Sequence, residues 1–235
     1  DEARMTGIAG LYRNAQSHVL NQKAVASYHS RLMGKKYEDC DYIVCHIDGG
    51  ITVSAHRHGR MVAGTVGSGG DGAFTPTRLG SVPVLKLLDY LETHSLDEVR
   101  LMCSRAGGFV SHFGTSNADT IHEKAIAGDA KADMVWRTMI YQINKQIGAM
   151  AAVLQGKTEA ILLTGGLVRF DDIVANACLI DRTDANHWDF PIAELPDLVE
   201  KASGMRDDVR YGLFCDEQGE YRLGELGDAE VEEGV

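Results

Sequence analysis

The sequence predicts an α/β fold with glycine-rich turns at the ends of its strands. Short runs of strand composition alternate with longer helical patterns, and glycines cluster where the short runs stop. Of the 235 residues, 44% are hydrophobic, which is enough to bury a core. Folds of this class bind phosphates and other ligands at the ends of their strands.

The first part of the chain predicts one helix followed by three strands. Apolar residues recur at helical spacing within 14–33, and Gly34 provides a cap beyond them. The runs 41–46, 51–56 and 60–64 have strand composition and are separated by tight turns. We therefore expect a meander of three strands whose first corner is rich in glycine.

The next part predicts glycine-bearing loops, several helices and one further strand. Residues 64–80 include six glycines among Ser and Thr, so we expect a loop that can approach a ligand closely. A second loop is predicted over 105–115, and a buried strand over 157–164 ends at Gly165 and Gly166. Helical patterns cover 82–94, 96–104, 119–127 and 130–154, and no element is assigned beyond 171.

Charge and composition argue against several classes of protein. The net charge of −11 disfavours nucleic acid as a partner, and eight acids against Arg222 alone in 216–235 predict a solvated acidic tail. The five cysteines never form a C-x-x-C pair, so neither a disulfide framework nor a zinc site is indicated. No apolar run approaches the roughly 20 residues of a membrane helix, and the chain does not begin like a signal peptide. We therefore expect a cytoplasmic protein that does not bind a membrane.

Two clusters of residues could bind a phosphoryl group. His46 lies at the end of a predicted strand, and the corner at Gly49 and Gly50 can turn backbone amides toward a phosphate. Arg78, after the glycine-rich loop, can offer a planar cationic fork to phosphate or carboxylate oxygens. The alternative interpretations are an ordinary hairpin corner and a surface arginine.

Two further features are less specific. Gly165 and Gly166 would let the backbone lie flat against an adenine or a phosphate, although such a pair after a strand is commonly a plain turn. His56 and His58 share one face of the predicted strand, but no third ligand follows, and no metal-binding residue is assigned. The sequence has no Walker-type, Ser-x-x-Lys or Gly-x-Ser-x-Gly motif, so hydrolysis through a protein nucleophile has no support.

Taken in their order along the chain, these segments resemble the butyrate kinases, a family of the acetate-and-sugar-kinase superfamily. The resemblance covers roughly residues 3–170. The segments that carry it are 21–26 (NQKAVA), the meander 46–60, the loop 71–78, 113–115 (FGT), 141–154 and 160–166 (AILLTGG).

The resemblance implies a ribonuclease-H-like domain of the actin-like ATPase fold, mainly the second of the family's two domains. Residues 1–40 would be a helical connection from the first domain, 41–175 the kinase domain, and 176–235 a divergent C-terminal segment with the acidic tail. The implied reaction moves the γ-phosphoryl group of ATP to a short-chain carboxylate, butyrate or a branched-chain fatty acid, with Mg²⁺ bridging the phosphates. The implied partner is a second copy of the chain, or a chain that supplies the first domain.

The resemblance also implies a role for each site residue. His46 and Arg78 would stabilise charge on the migrating phosphoryl group, because in-line phosphoryl transfer depends on positioning and electrostatic stabilisation. Gly49 and Gly50 would face the β- and γ-phosphates. The residues that would hold the nucleotide are Gly114, Asn117, Gly165 and Gly166.

The sequence departs from the family pattern in ways that are expected to weaken nucleotide binding. Asp48 stands where the family has a glycine, so its carboxylate would repel a phosphate unless it turned toward Mg²⁺. Leu79 occupies a position where the family has serine, and Asp119 replaces a cation. The family's first domain is not recognised before Asp1, nor its closing helix after Arg169. The alternative function is therefore a catalytically degenerate subunit that binds a partner.

Overall fold

A mixed β-sheet lies at the centre of the structure. The structure is a computed structural model that describes residues 2–14, 16–68 and 70–177, and the backbone of 210–215 and 221–226. The strands are β1 (Asp41–Ile47), β2 (Ile51–Arg57), β3 (Arg60–Gly64), β4 (Ala160–Thr164), β5 (Arg210–Cys215) and β6 (Tyr221–Leu226). Their order in the sheet is β3-β2-β1-β4-β5-β6. Strands β1 and β4 are parallel, and the other neighbouring pairs are antiparallel.

Helices cover both faces of this sheet. The described residues form α1 (Val19–Leu32), α2 (Val84–Leu91), α3 (Leu96–Leu101), α4 (Gly108–Phe113), α5 (Ala118–Ile126), α6 (Ala130–Val153) and α7 (Asp171–Ala177). Helices α1 and α6 pack on opposite faces of the sheet, whereas α2 buries none of its residues. A π-helical turn continues α3 over Met102–Ala106, and short 3₁₀ turns occupy Glu2–Arg4, Tyr37–Asp39 and Gly166–Arg169.

The two sides of β1 belong to two different cores, because successive side chains of a strand point to opposite faces. Ile43 and Cys45 are buried in the core that contains α6. Tyr42 and Val44 are buried in the smaller core that contains α1. By the same alternation, His46 faces α1, which is how a helix near the start of the chain comes to contact the end of this strand.

The elements with strong sequence patterns form as predicted. The predicted meander is present as β1, β2 and β3, and the strand before Gly165 is present as β4. The first helix begins at Val19 rather than near residue 14, and it ends before Gly34, whose φ of +67° is the left-handed conformation expected of a glycine cap. Between β3 and α2, the described residues form no helix or strand, as the glycine content predicts.

The loop predicted over 105–115 is wrong in its central part, which forms α4. This helix has only six residues, too few for a periodic pattern to reveal it. Its first amides are satisfied by a distant loop, since the N–H of Phe109 donates to the Thr75 carbonyl at 3.3 Å and that of Val110 to the Pro76 carbonyl at 3.1 Å. A helix that is capped by another segment carries no capping residue in its own sequence.

The C-terminal elements lie where the sequence pattern is weak. Helix α7 and strand β5 were not predicted, and β6 shows that 221–226 pair in the sheet rather than extend as part of a solvated tail. The rest of the predicted acidic tail lies outside the described residues. The domain boundaries at 40 and 175 remain predictions. Among the described residues, no helix is long and apolar enough to cross a membrane.

Candidate active site

His46 is held between two residues at the start of α1. Its Nδ1 lies 3.0 Å from Oδ1 of Asn21, and its ring stacks on His18 with 3.9 Å between the ring centroids. His18 in turn is fixed by Thr52, whose Oγ1 lies 2.9 Å from its Nδ1. The His46 side chain is therefore positioned by α1 and β2 as well as by its own strand.

The His46 ring is neutral at physiological pH. Burial, reinforced by the nearby His18 and Arg78, lowers the pKa of His46 to about 4, although Asp48 opposes the shift. A neutral imidazole donates from one nitrogen and accepts at the other. Because an asparagine can present either its oxygen or its NH₂ group by rotating 180°, Asn21 decides which nitrogen of His46 carries the proton.

Arg78 lies against the corner between β1 and β2. Its Nη1 donates to the carbonyl of Gly67, and a side chain on Gly50 would displace its guanidinium group. The Nε of Arg78 is buried and has no hydrogen-bond partner among the described residues. Burial lowers the pKa of Arg78, but arginine keeps its charge in proteins. The result is a half-buried cation with a buried donor that the described residues do not use.

Two threonines fix the Arg78 loop to the same corner. The hydroxyls of Thr75 and Thr77 both donate to the carbonyl of Gly49, at 2.7 and 2.9 Å. The backbone N–H of Arg78 donates to the Thr75 hydroxyl at 2.9 Å, so the backbone of Arg78 is fixed as well. These contacts place His46, Gly49, Gly50 and Arg78 in one group. We call this group, together with Asp48, the phosphate corner, after the role that the sequence predicts for it.

Asp48 is the residue of this corner that departs from the family pattern, and it joins two turns. Its Oδ1 accepts the N–H of Gly49 at 2.7 Å, and its Oδ2 accepts the N–H of Gly166 at 3.2 Å. Gly165, at the end of β4, has a φ of +104° and packs against the backbone of Ile47 so closely that a Cβ would collide. The ends of the parallel strands β1 and β4 are thus held together at one edge of the sheet.

The predicted nucleotide residues form a second, more exposed group. Gly114 ends α4 with a φ of +72°, and no other atom lies near the position where a Cβ would be. Asn117 is the N-cap of α5, because its Oδ1 accepts the N–H of Thr120 at 3.1 Å. After the role that the sequence predicts for the first four residues, we call Gly114, Asn117, Gly165, Gly166 and the neighbouring Arg169 the nucleotide wall.

Arg169 is a site residue that the sequence did not reveal. Its Nη1 donates to the carbonyl of Gly166 at 2.7 Å, and its Nη2 donates to both carboxylate oxygens of Asp119 at 2.8 Å. This contact lowers the pKa of Asp119. Asp119 stands where the family has a cation, and the positive charge of Arg169 beside it compensates for that loss. The only signal in the sequence is an arginine three residues after Gly166, which does not identify its partner.

His56 and His58, predicted to share one face of a strand, do not do so, because β2 ends at Arg57. His56 is buried, with its ring nitrogens hydrogen-bonded to the Tyr37 hydroxyl and the Ser54 hydroxyl. His58 is exposed in the turn after β2 and has a φ of +48°, so it leaves the strand before the alternation can apply. In the part of the chain that the structure describes, no three His, Cys, Asp or Glu side chains come together as a metal site.

These features are typical of α/β proteins that bind phosphate groups at the ends of their strands. Glycine corners follow two adjacent parallel strands, and a half-buried arginine and a neutral histidine lie beside one of them. Residues 10–182 match the acetokinase family, and the chain belongs to that family.

Individual relatives agree with this assignment. The chain is 37% identical over 198 residues to a probable butyrate kinase of Clostridium botulinum (strain Alaska E43 / Type E3), covering 83% of this chain and 54% of the relative. The structure resembles an acetate kinase of Porphyromonas gingivalis, with a TM-score of 0.73, 19% identity and coverage of 93% of this chain and 54% of the other. It also resembles a propionate kinase from Francisella tularensis subsp. tularensis SCHU S4, with a TM-score of 0.66, 16% identity and coverage of 94% of this chain and 56% of the other.

The comparisons confirm the family and the fold class that the sequence predicted. The ribonuclease-H-like α/β fold is shared with the solved acetate and propionate kinases, and at such low identity this likeness concerns the fold alone. The chain spans about half the length of the relatives it matches. That it corresponds to the second of the family's domains remains a prediction.

Proposed function

We propose that the chain forms one wall of a carboxylate kinase site that transfers the γ-phosphoryl group of ATP to a short-chain carboxylate, butyrate or a branched-chain fatty acid. The observation that carries the proposal is Arg78, a half-buried cation beside the Gly49–Gly50 corner whose buried Nε has no hydrogen-bond partner among the described residues. The relative named as a probable butyrate kinase supports the choice of acceptor. Because the chain spans about half of that relative, the remaining walls come from elsewhere in the protein or from another chain.

The residues present fit a nucleotide with its magnesium ion. The guanidinium fork suits phosphate oxygens, and the orphaned Nε provides a donor that a ligand can satisfy. Mg²⁺ commonly binds phosphates, waters and one or two carboxylates, and Asp48 offers one carboxylate at the corner. When bound, the ion would neutralise charge on the β- and γ-phosphates. No further protein ligand is assigned to it.

The transfer needs few groups from the protein. A carboxylate oxygen attacks the γ-phosphorus, the bond to the oxygen that bridges the β- and γ-phosphorus atoms breaks, and ADP leaves with the electron pair. Arg78 would bind the oxygens of the migrating group as their charge changes. His46 would donate from Nε2, which requires Asn21 to turn its NH₂ group toward Nδ1. The nucleotide wall would bind the remainder of ATP.

We test this proposal at Arg78. Isothermal titration calorimetry with Mg-ATP, followed by detection of acyl phosphate as its hydroxamate with butyrate as acceptor, should show binding and turnover. Arg78→Ala should lower the rate by about a hundredfold, the usual loss for one charge-stabilising donor, and Arg78→Lys should recover only part of it. The matched control is Arg60→Ala, an exposed arginine on β3.

The outcomes separate the two candidate functions. An unchanged rate in Arg78→Ala would remove Arg78 from the mechanism. If Mg-ATP does not bind the wild-type protein at millimolar concentration, the catalytically degenerate subunit is the better interpretation. Asp48, whose carboxylate already holds the Gly49 and Gly166 amides, is the observation that keeps this second candidate open.

We also propose that two copies of the chain associate, as the family resemblance implies. Helix α2 supports this, since Val84, Leu85 and Leu88 are 70%, 75% and 55% exposed on one short helix. Clusters of exposed apolar side chains mark interaction surfaces. Sedimentation equilibrium should give twice the mass of one chain.

A further inference from the structure

The Asp48 carboxylate occupies the backbone donors that a glycine corner offers to a phosphate. Oδ1 accepts the Gly49 N–H at 2.7 Å, and Oδ2 accepts the Gly166 N–H at 3.2 Å. These two amides follow adjacent parallel strands, at the edge of the sheet where ligands bind in α/β folds. Amides in this position recognise negatively charged oxygens, whether they belong to a phosphate or to a carboxylate. The free chain therefore carries its own anion at this position.

Local turn geometry explains only half of this arrangement. A bond from an aspartate to the next amide, as between Asp48 and Gly49, is common in turns. The bond to Gly166 is different, because it joins residues 118 apart in sequence. The Gly166 Cα also faces the carboxylate, since a Cβ added there would lie 3.5 Å from each of its oxygens. A turn at the end of β1 does not require this second contact.

The Asp48 carboxylate is also available for a new partner. The ion pairs of the described residues do not include Asp48. Its side chain is exposed, so it can turn away from the two amides without disturbing either core. An exposed carboxylate that accepts only neutral N–H groups gains from a divalent cation, because hard cations prefer carboxylate oxygens.

We propose that Asp48 makes nucleotide binding depend on a divalent cation. In the free chain, the carboxylate holds the Gly49 and Gly166 amides and repels a metal-free polyphosphate. When the nucleotide arrives with its cation, the carboxylate turns to the cation or its waters and releases both amides to phosphate oxygens. This inference rests on the proposed nucleotide site, but it assigns Asp48 a role of its own, the selection of metal-bound over metal-free nucleotide.

The role predicts opposite effects on two forms of the same ligand. Removing the carboxylate relieves repulsion of metal-free ATP and removes a contact to the cation of Mg-ATP. Asp48→Gly and Asp48→Asn should therefore bind metal-free ATP more tightly and Mg-ATP no more tightly than the wild type. A change that merely loosened the two turns would weaken both forms together.

The experiment is calorimetry of ATP binding in excess EDTA and in excess Mg²⁺. For the wild type, we expect Mg²⁺ to increase affinity by about a hundredfold or more, and for both Asp48 variants we expect this ratio to fall at least tenfold. The matched control is Asp39→Asn, which removes the same charge just before the opposite end of β1 and should leave the ratio unchanged. Thermal melting of each variant checks that it is folded.

A second readout follows the amides directly. In ¹H–¹⁵N spectra, Mg-ATP added to the wild type should shift the Gly49 and Gly166 amide signals, and Asp48→Gly should shift the Gly166 signal without ligand. If the variants bind ATP with the wild-type ratio, the role of Asp48 is refuted while the nucleotide site stands. If no variant binds ATP in either buffer, the nucleotide site itself is refuted, and this inference with it.

Discussion

The phosphate corner and the nucleotide wall meet at the same edge of the sheet, but they are built differently. The corner is packed, with Arg78 tied to the Gly49–Gly50 turn through the 75–78 loop and α4 lying against that loop. The wall is exposed and depends on a helix cap and one ion pair between Arg169 and Asp119. In the packed region, neighbouring atoms dictate which residues are tolerated. In the exposed region, backbone conformation and surface charge decide which residues are tolerated.

Two glycines of α4 give the sharpest test of this difference. Both Gly108 and Gly114 have positive φ, but a Cβ on Gly108 would collide with the Thr75 carbonyl, whereas one on Gly114 would meet no other atom. Gly108→Ala should lower the free energy of unfolding by about 3 kcal/mol through overpacking and backbone strain. Gly114→Ala should cost only the conformational strain, about 1 kcal/mol. Urea denaturation measures both, and equal losses would contradict the comparison.

A histidine buried at the end of β2 that lies away from the phosphate corner makes the fold sensitive to acid. Burial lowers the pKa of His56 to about 4, whereas histidine in an unfolded chain titrates near 6.5. The unfolded chain therefore binds more protons between these values, so stability is full above about pH 6.5 and falls as the pH drops toward about 4. We expect a loss of about 3 kcal/mol from this residue by pH 4.

A pair of variants assigns the acid sensitivity to burial. His56→Gln removes the titrating group and should flatten the fall in melting temperature between about pH 6.5 and 4. The matched control is His58→Gln, at an exposed histidine two residues away. Equal pH profiles for all three proteins would show that His56 does not control acid stability.

The same contrast explains which parts of the fold the sequence predicts. The strands β1, β2 and β3 have a strong local composition, and the glycines between them punctuate it. Helix α4 escapes prediction because its first amides bind carbonyls of Thr75 and Pro76, a contact that no local pattern encodes. Strands β5 and β6 escape it because β5 pairs with β4, which is distant in sequence, and β6 in turn pairs with β5.

For the candidate site, the sequence predicts residue types but not their partners. Arg78 was singled out from its position after a glycine-rich loop, and the structure shows the threonine hydroxyls that fix that loop to Gly49. Asp48 was expected to repel phosphate, but its bond to Gly166 depends on the pairing of β1 with β4. Local sequence patterns identify which residues can bind a phosphate, whereas contacts between distant segments decide which partners those residues have in the folded chain.

Arg169 and Asp119 test the exposed region, where effects on stability are smallest. Their pair is surface-exposed, so Arg169→Ala and Asp119→Ala should each change the free energy of unfolding by less than about 1 kcal/mol. Their effects on ATP affinity should be opposite. Asp119→Ala frees the arginine for phosphate and should tighten binding by up to about fivefold, whereas Arg169→Ala leaves an uncompensated anion and should weaken binding by a similar factor.

The double variant completes this test. Removing both charges restores local neutrality, so its ATP affinity should return close to that of the wild type if the pair acts only through its net charge. Calorimetry on the four proteins, at low and at high salt, measures this, and added salt should reduce the difference between the two single variants because it screens exposed charges. If both single variants weaken binding equally at both salt concentrations, Asp119 supports the wall by shape rather than by charge, and the compensation inferred for Arg169 is wrong.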